Sequence, residues 1–246
     1  MSDQQPLVSI IIPSLQEEKL LERTLRQFTQ EVKQRFGLEL IVSDGGSTDR
    51  TLEIARQYAD VIIEAMPQER QNISLGRNRG ARAAKGEILV FINADTIIEN
   101  IAHFFEEMIV VMNRPGLTGA TCSVGIYREE EGFSDRVFHG FYNLLFHLEN
   151  LLGLGMGRGE CQVIKRSTFF SIGGYNESMA AGEDFELFVR LRKLGMTAFK
   201  PHLRVNESPR RYRAHGYLKT SLLWLLNAVS VVLFRRSLQK EWKPVR

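Results

Sequence analysis

Apolar residues along this chain recur in two periods, and the alternation between those periods predicts the architecture. Val8 to Ile12 is a short β-branched run that ends at Pro13, the mark of a buried strand. Glu17 to Arg35 follows, with Leu21, Leu25, Phe28 and Val32 at helical spacing, forming one apolar stripe. Leu38 to Ser43 reads as the second strand, Thr51 to Tyr58 as the second helix and Val61 to Glu64 as the third strand. Gly76 to Lys85, rich in arginine and alanine and closed by Gly86, predicts another helix. Ile88 to Ile92 is apolar throughout, so it reads as a fourth strand buried on both faces. This β-α-β-α-β-α-β order predicts an α/β fold with a doubly wound, mostly parallel central sheet and helices on both faces.

Beyond residue 100 the pattern is less regular. Ile101 to Met112 predicts a helix, Ala120 to Ile126 a strand and Val137 to Leu152 an aromatic, apolar helix. The glycines from Gly153 to Gly159 predict a mobile loop. They do not spell GxGxxG between a strand and a helix, which excludes a dinucleotide fingerprint. Glu183 to Leu194 reads as a helix opened by two acids and ended by Gly195. Thr220 to Phe234 is fifteen uncharged residues ending at Arg235-Arg236. A membrane span needs roughly twenty apolar residues, and this run contains Ser221, Asn227 and Ser230. A helix lying in the bilayer interface with Trp224 and Trp242, a core helix over the sheet, and an oligomer contact all fit it.

Charge adds an asymmetry. The chain of 246 residues is 43% hydrophobic, enough for a large core, and carries a net +3. Phe199 to Arg246 holds eleven Lys/Arg and two Asp/Glu, a balance of +9, so the rest sums to −6. A basic tail on an acidic body points to an anionic partner such as a diphosphate or a membrane lipid. With no zinc spacing and no RNP-type aromatic run, nucleic acid is not expected. Cys122 and Cys161 form no CxxC pair and read as small buried residues in a reducing compartment. Met1-Ser2-Asp3-Gln4-Gln5 lacks the basic start and apolar run of a signal peptide, so the reading is cytoplasmic, peripheral at most to the inner face of a membrane.

The chemistry gathers at strand ends. In Asp44-Gly45-Gly46-Ser47-Thr48-Asp49 the glycines let the backbone turn sharply beside a ligand. Ser47 or Asp49 can cap the next helix. Asp44 is left at the carboxyl end of a strand, where open α/β sheets bind ligands. The fourth strand runs into Asn93-Ala94-Asp95-Thr96, which puts Asp95 on the same edge. A carboxylate there can hold Mg²⁺ or Mn²⁺, ions that keep waters and take further ligands from substrate phosphates, with Asn93 offering a neutral oxygen. The third component, Gly182-Glu183-Asp184, opens a helix whose dipole favours an ionised acid. A general-base role for Asp184 therefore requires burial or a neighbouring charge that raises its pKa.

These motifs occur in the order seen in family 2 glycosyltransferases. Pro13, Glu17, the run Asp44 to Asp49, Gly76-Arg77-Asn78, Asn93-Ala94-Asp95, Gly173-Gly174-Tyr175-Asn176-Glu177 and Gly182-Glu183-Asp184 carry the resemblance from Leu7 to about Met196. Ser208 to Arg211 followed by an apolar segment resembles a small bacterial-type subgroup. The resemblance implies a GT-A fold with a catalytic domain over 1–200. Its nucleotide-binding half would span about 1–98 and its acceptor side about 99–200, followed by a basic extension over 201–246 that carries the apolar helix.

It also implies roles. Pro13, Ser14 and Glu17 would line the base and ribose pocket, Asp44 would hydrogen-bond the nucleobase, uracil or guanine, and Arg77 would approach the nucleotide with Asn78 bracing its loop. Asp95 would be the last acid of a DxD-like motif Asn93-Ala94-Asp95, binding the metal that bridges the diphosphate. Asp184 would take the acceptor's proton. Arg210, Arg211 and Arg213 could contact the diphosphate, face solvent or bind lipid phosphate. Asn93 departs from the pattern and puts metal affinity in question. His202 or His215 could supply a further ligand or be an ordinary surface histidine.

Sugar transfer needs a stabilised diphosphate leaving group and an activated acceptor oxygen, which a metal and one carboxylate supply. A single base opposite the leaving group implies direct displacement with inversion, by analogy with inverting hydrolases. A nucleotidyltransferase is disfavoured because the loop Pro13-Ser14-Leu15-Gln16-Glu17 has no glycine. The other alternative is a catalytically degenerate protein binding nucleotide or lipid at a membrane surface. The aromatic stretch Phe133 to Met156 fits a lipid-linked or apolar acceptor, or plain packing. Donor sugar, acceptor and oligomeric state are left open.

Overall fold

The computed structural model describes residues 6–66, 71–179, 181–234 and 237. Met1 to Gln5, Arg235, Arg236 and Trp242, on which the readings of the N-terminus and the basic flank rest, lie outside them. In chain order the elements begin with β1 (Val8–Ser14), α1 (Leu21–Arg26), α2 (Gln30–Phe36), β2 (Leu38–Asp44), α3 (Thr51–Tyr58) and β3 (Val61–Ile63). Next come α4 (Ile73–Ala83), β4 (Ile88–Ile92), β5 (Ile97–Ile98), α5 (Ile101–Met112), β6 (Leu117–Ile126) and α6 (Phe133–Leu151). The chain continues with β7 (Cys161–Lys165), α7 (Arg166–Ser171), α8 (Glu183–Leu194), β8 (Met196–Glu207), α9 (Arg210–His215) and α10 (Tyr217–Phe234).

One eight-stranded sheet, ordered β3-β2-β1-β4-β7-β6-β8-β5, organises the molecule. The first four strands of that order run parallel, as their apolar runs predict. Alternate side chains of these strands enter two different cores. Ile10, Ile12, Leu40, Val42, Val90 and Ile92 pack with Leu21, Leu25, Phe104 and Phe105. Ile11, Ile41, Leu89 and Phe91 pack on the other face with Ala81, Leu187 and Phe188. Gly80 lets α4 sit on the sheet, since a Cβ there would lie 2.4 Å from Ile11 Cγ2.

The second half is mixed rather than parallel. β7 runs antiparallel to both β4 and β6, and β6 pairs parallel with β8. Two antiparallel steps restore direction, so β1, β2, β4, β6 and β8 all end at one edge, where β7 begins. The register shows it: Ser14 faces Asp44, Ile92 faces Cys161, and Ile126 faces Glu207.

Several expectations change. The helix expected over 17–35 is two helices, because Thr29 caps α2 by accepting from Val32 N at 3.3 Å. α4 starts at Ile73 rather than Gly76, with Asn72 accepting from Leu75 N at 2.8 Å. Gly86 is not its cap; it permits a close approach, a Cβ there falling 2.6 Å from Ser9 N. β7 and β8 were not anticipated. The run 220–234 falls within α10, and among the described residues no helix is long and apolar enough to cross a membrane. Cys122 and Cys161 are buried free thiols, as expected.

Candidate active site

The common edge collects the strand-end acids. Asp44 is buried and closes its own loop. Its Oδ2 accepts from Gly46 N at 2.8 Å and Ser47 N at 2.7 Å, and its Oδ1 accepts from Ser47 Oγ at 2.5 Å and Ser14 Oγ at 3.3 Å. The facing loop after β1 is clamped to it by Gln16, whose Oε1 accepts from Thr48 N and Asp49 N at 3.0 and 3.2 Å. Gln16 has φ +55°, the one positive value at a non-glycine among the described residues. Strain of that kind, about 1–3 kcal/mol, persists where surroundings over-determine a conformation, as at ligand clamps. Beside the clamp a cavity of about 540 Å³ is lined by Gln16, Glu17, Thr48, Asp49, Ser208 and Arg210, a volume in the range of small-ligand sites. Pro13 lies behind this loop, against Gly76.

The Asn93-Ala94-Asp95 turn is held by its carbonyls. Thr24 Oγ1 donates to Ala94 O at 2.8 Å, Tyr127 Oη to Asp95 O at 2.7 Å, and Gln27 Nε2 to Thr96 O at 2.9 Å. Asp95 is buried, and burial raises its pKa although Arg210 and Arg211 pull it down. Its Oδ2 meets Arg210 Nη2 at 3.1 Å, and Arg210 also reaches both oxygens of Glu17 at 2.8 and 2.9 Å. α9 thus lays Arg210 across the acids of β1 and β4.

Asn93 turns the other way, accepting from Arg77 Nη2 at 3.0 Å. Arg77 is fully buried: it donates to Glu183 Oε1 at 2.9 Å and Gly159 O at 2.8 Å, and it lies under the Tyr175 ring. It braces the loops around Asp184 instead of lining the open cavity. Asn78 reaches the Gly173–Glu177 loop, donating to Tyr175 O at 2.9 Å and to Glu177 Oε1 at 2.8 Å.

Asp184 meets the condition that a base must satisfy. Burial first, then the charge of Glu183, pushes its pKa up to about 7. Its Oδ2 accepts from Gly159 N at 2.9 Å. The glycine loop expected to be mobile is therefore pinned, and a Cβ at Gly157 would fall 2.3 Å from the Phe188 ring.

Three residues at this edge escaped the sequence reading. Arg158 is buried and pairs with Glu160 at 3.3 Å, which holds the Glu160 carboxyl below its usual range despite burial. Glu207 ends β8; burial, then the Glu160 charge, raises its pKa to about 8, and its Oε1 accepts from Tyr212 Oη at 2.7 Å. The strand-end rule that picked out Asp44 and Asp95 would have found Glu207 had β8 been recognised.

Other candidates lie elsewhere. Arg213 holds Asp135 at the start of α6, at 2.6 Å. His202 joins His103 and Glu107 between α5 and β8, with Lys200 on the free Glu107 oxygen at 2.6 Å. Among the described residues that trio is the one histidine–carboxylate group close enough to share an ion, and it does not include Asp95. His215 is exposed at the end of α9. An ion at Asp95 would rest on one carboxylate with phosphates and waters, an oxygen donor set that suits Mg²⁺ or Mn²⁺.

The fold is that of GT-A glycosyltransferases. It matches the mannosyltransferase PcManGT from Pyrobaculum calidifontis, solved with GDP-Man and Mn²⁺, with a TM-score of 0.66 and 21% identity over 88% of this chain and 63% of that one. It also matches the glucosyl-3-phosphoglycerate synthase from Mycobacterium tuberculosis, solved with Mn²⁺, UDP and glucosyl-3-phosphoglycerate, with a TM-score of 0.63 and 19% identity over 94% and 80%. Residues 9–171 match the family description Glycosyl transferase family 2, and the chain belongs to that family. Among its relatives is the validoxylamine A glucosyltransferase of Streptomyces hygroscopicus subsp. limoneus, 35% identical over 95 residues, 37% of this chain. The chain spans 21% of that relative's length.

Proposed function

We propose that this protein transfers a sugar from a UDP- or GDP-type nucleotide-diphosphate sugar to an acceptor hydroxyl, with inversion at the anomeric carbon. The observation that carries the reading is Asp184: a carboxylate on the same edge as Asp44 and Asp95, with its pKa pushed up to about 7. A base poised near neutrality deprotonates an acceptor hydroxyl as that oxygen attacks. Asp44 and the clamped loop after β1 would receive the base and ribose, with Pro13, Ser14 and Glu17 on the wall.

Asp95 would hold Mg²⁺ or Mn²⁺, which when bound neutralises charge developing on the diphosphate. Arg210 is already within reach of Asp95 and would shift its guanidinium from Glu17 toward the phosphates; Arg211 adds positive charge to the same place. Family membership and the nucleotide- and Mn²⁺-bound structures of similar fold support this reading.

Asn93, turned to Arg77 instead of the cleft, favours one second reading, a nucleotide-binding protein without turnover. A thermal-shift and donor-hydrolysis screen with UDP- and GDP-sugars, with and without Mn²⁺, separates the two. Transfer predicts a metal-dependent shift with one nucleotide class and hydrolysis that Asp95→Ala abolishes. A shift without any hydrolysis would leave the binding protein.

A further inference from the structure

A surface helix ordinarily turns polar residues to water's opposite only at special sites; its apolar stripe faces the core. α6 and α10 are built inside out. In α10, Thr220 and Asn227 are buried at 3% and 5% exposure, while Leu218, Leu222 and Leu225 stand open at 89%, 55% and 61%. In α6, Asp135 and Asn150 are buried, and Phe141, Leu144 and Leu148 are exposed by 61%, 58% and 46%.

Asp135, Asn150 and Asn227 have partners, while buried His139 of α6 meets the rings of Phe138 and Tyr212 with neither ring nitrogen hydrogen-bonded. Asp135 accepts from Arg213, Asn150 Oδ1 accepts from Thr197 Oγ1 at 2.7 Å, and Asn227 Nδ2 donates to Leu223 O at 2.9 Å. The two helices meet where the Trp224 ring lies 5.8 Å from Phe138 and 5.1 Å from Tyr142. Neighbouring apolar stripes of this size mark an interaction surface.

We propose that the outer faces of α6 and α10 together seat on an anionic lipid bilayer, with α10 lying in its headgroup layer. Charge selects the occupant. Arg136 on α6 and Lys219 on α10 are exposed, and the twelve residues 235–246 that follow α10 hold five Lys/Arg against one Glu. A second copy docked through a two-fold axis would set that positive charge against itself. Anionic headgroups oppose it and attract each basic residue near the surface. No described helix is long and apolar enough to cross, which matches a helix that lies on the membrane.

The test is co-sedimentation of the full chain with vesicles of phosphatidylcholine alone or mixed with phosphatidylglycerol. Binding is expected to the mixed vesicles and to weaken with salt. The variant Phe141→Gln/Leu144→Gln/Leu222→Gln/Leu225→Gln should lose at least about tenfold in partitioning, because four immersed side chains no longer gain from burial. Its melting temperature and nucleotide-induced thermal shift should match the parent protein. If that variant unfolds, Arg136→Glu/Lys219→Glu carries the test, with binding to the mixed vesicles falling and the melting temperature held.

Asp184→Asn should bind vesicles like the parent chain, which separates this surface from the transfer reaction. The proposal is overturned if the parent chain stays in solution with both vesicle types. It is equally overturned if light scattering shows a dimer that the four glutamines dissolve.

Discussion

Asp44 and Asp184 stand on the same sheet edge under opposite electrostatic regimes. Asp44 accepts four hydrogen bonds from Ser14, Gly46 and Ser47, all at the ends of the parallel strands. Its charge is satisfied locally, and its position is fixed before any ligand arrives. Asp184 accepts from Gly159 N, but it shares its surroundings with Glu183 and Glu160, and its carboxyl is pushed up to about 7. An acid that must hold its place is solvated by backbone amides. Asp184, the acid proposed to exchange a proton near neutrality, is crowded with other acids and held together by buried arginines, here Arg77 and Arg158. Under the proposed transfer reaction, the two halves of the fold divide the labour of fixing and reacting.

The sharpest way to break this contrast is at the reacting end. Asp184→Asn keeps the shape and removes the proposed base, so turnover should fall by about 10²–10⁴-fold while the nucleotide-induced thermal shift persists. In the parent enzyme the acid limb of kcat/KM should lie near the raised pKa of about 7, since only the deprotonated form accepts a proton. Loss of nucleotide binding together with turnover would mean that Asp184 shapes the donor pocket instead. A pH profile without an acid limb near that value would remove the base from the argument.

At the fixing end the expected loss is in stability and binding. Asp44→Ala strips the acceptor from two backbone amides and two hydroxyls, and a buried donor left without a partner costs about 1–3 kcal/mol. Denaturant unfolding should show a lower midpoint with an unchanged slope, and nucleotide should no longer raise the melting temperature. Asp44→Asn, which keeps one carbonyl oxygen, should lie between the two. An unchanged midpoint in Asp44→Ala would show that water replaces the carboxylate at little cost.

The same division explains what could be read from the chain. The parallel half was legible because each strand is a short apolar run with its chemistry in the following turn, as in Ile88 to Ile92 followed by Asn93-Ala94-Asp95. β8 was not, because Lys200, Pro201, His202 and Arg204 interrupt its alternation and proline argues against a strand. The structure absorbs them as an irregularity: Lys200 faces Cys122, yet Arg204 faces the next residue, Ser123, so the stretch with Pro201 and His202 leaves the ladder. Missing β8 hid Glu207. Reading Gly153 to Gly159 as mobile hid Arg158, which is buried between Glu160, two residues on, and Glu207, brought to 3.8 Å from the far end of β8. Local pattern reveals residues fixed by their own turns, whereas crowded acids depend on tertiary pairing that spacing does not encode.

The smallest effect expected is also the one that tests crowding itself. Glu207 has its pKa raised from 4.5 to about 8 by burial and then by Glu160, so the folded state holds a proton that the unfolded chain releases. Stability from this proton is fully present below about 4.5 and is lost as pH rises through about 8. Asp184, raised from 3.8 to about 7, adds a slope of the same sign over its own window. Glu207→Gln stays uncharged and can still accept from Tyr212, so its melting temperature should fall less steeply across that interval. The gap between the two proteins at the alkaline end should be about 2–4 °C, the response of a chain this size to about 1 kcal/mol. Parallel curves would mean that Glu207 is ionised throughout and paired with Arg158, and that the reacting half is no more strained than the fixing half.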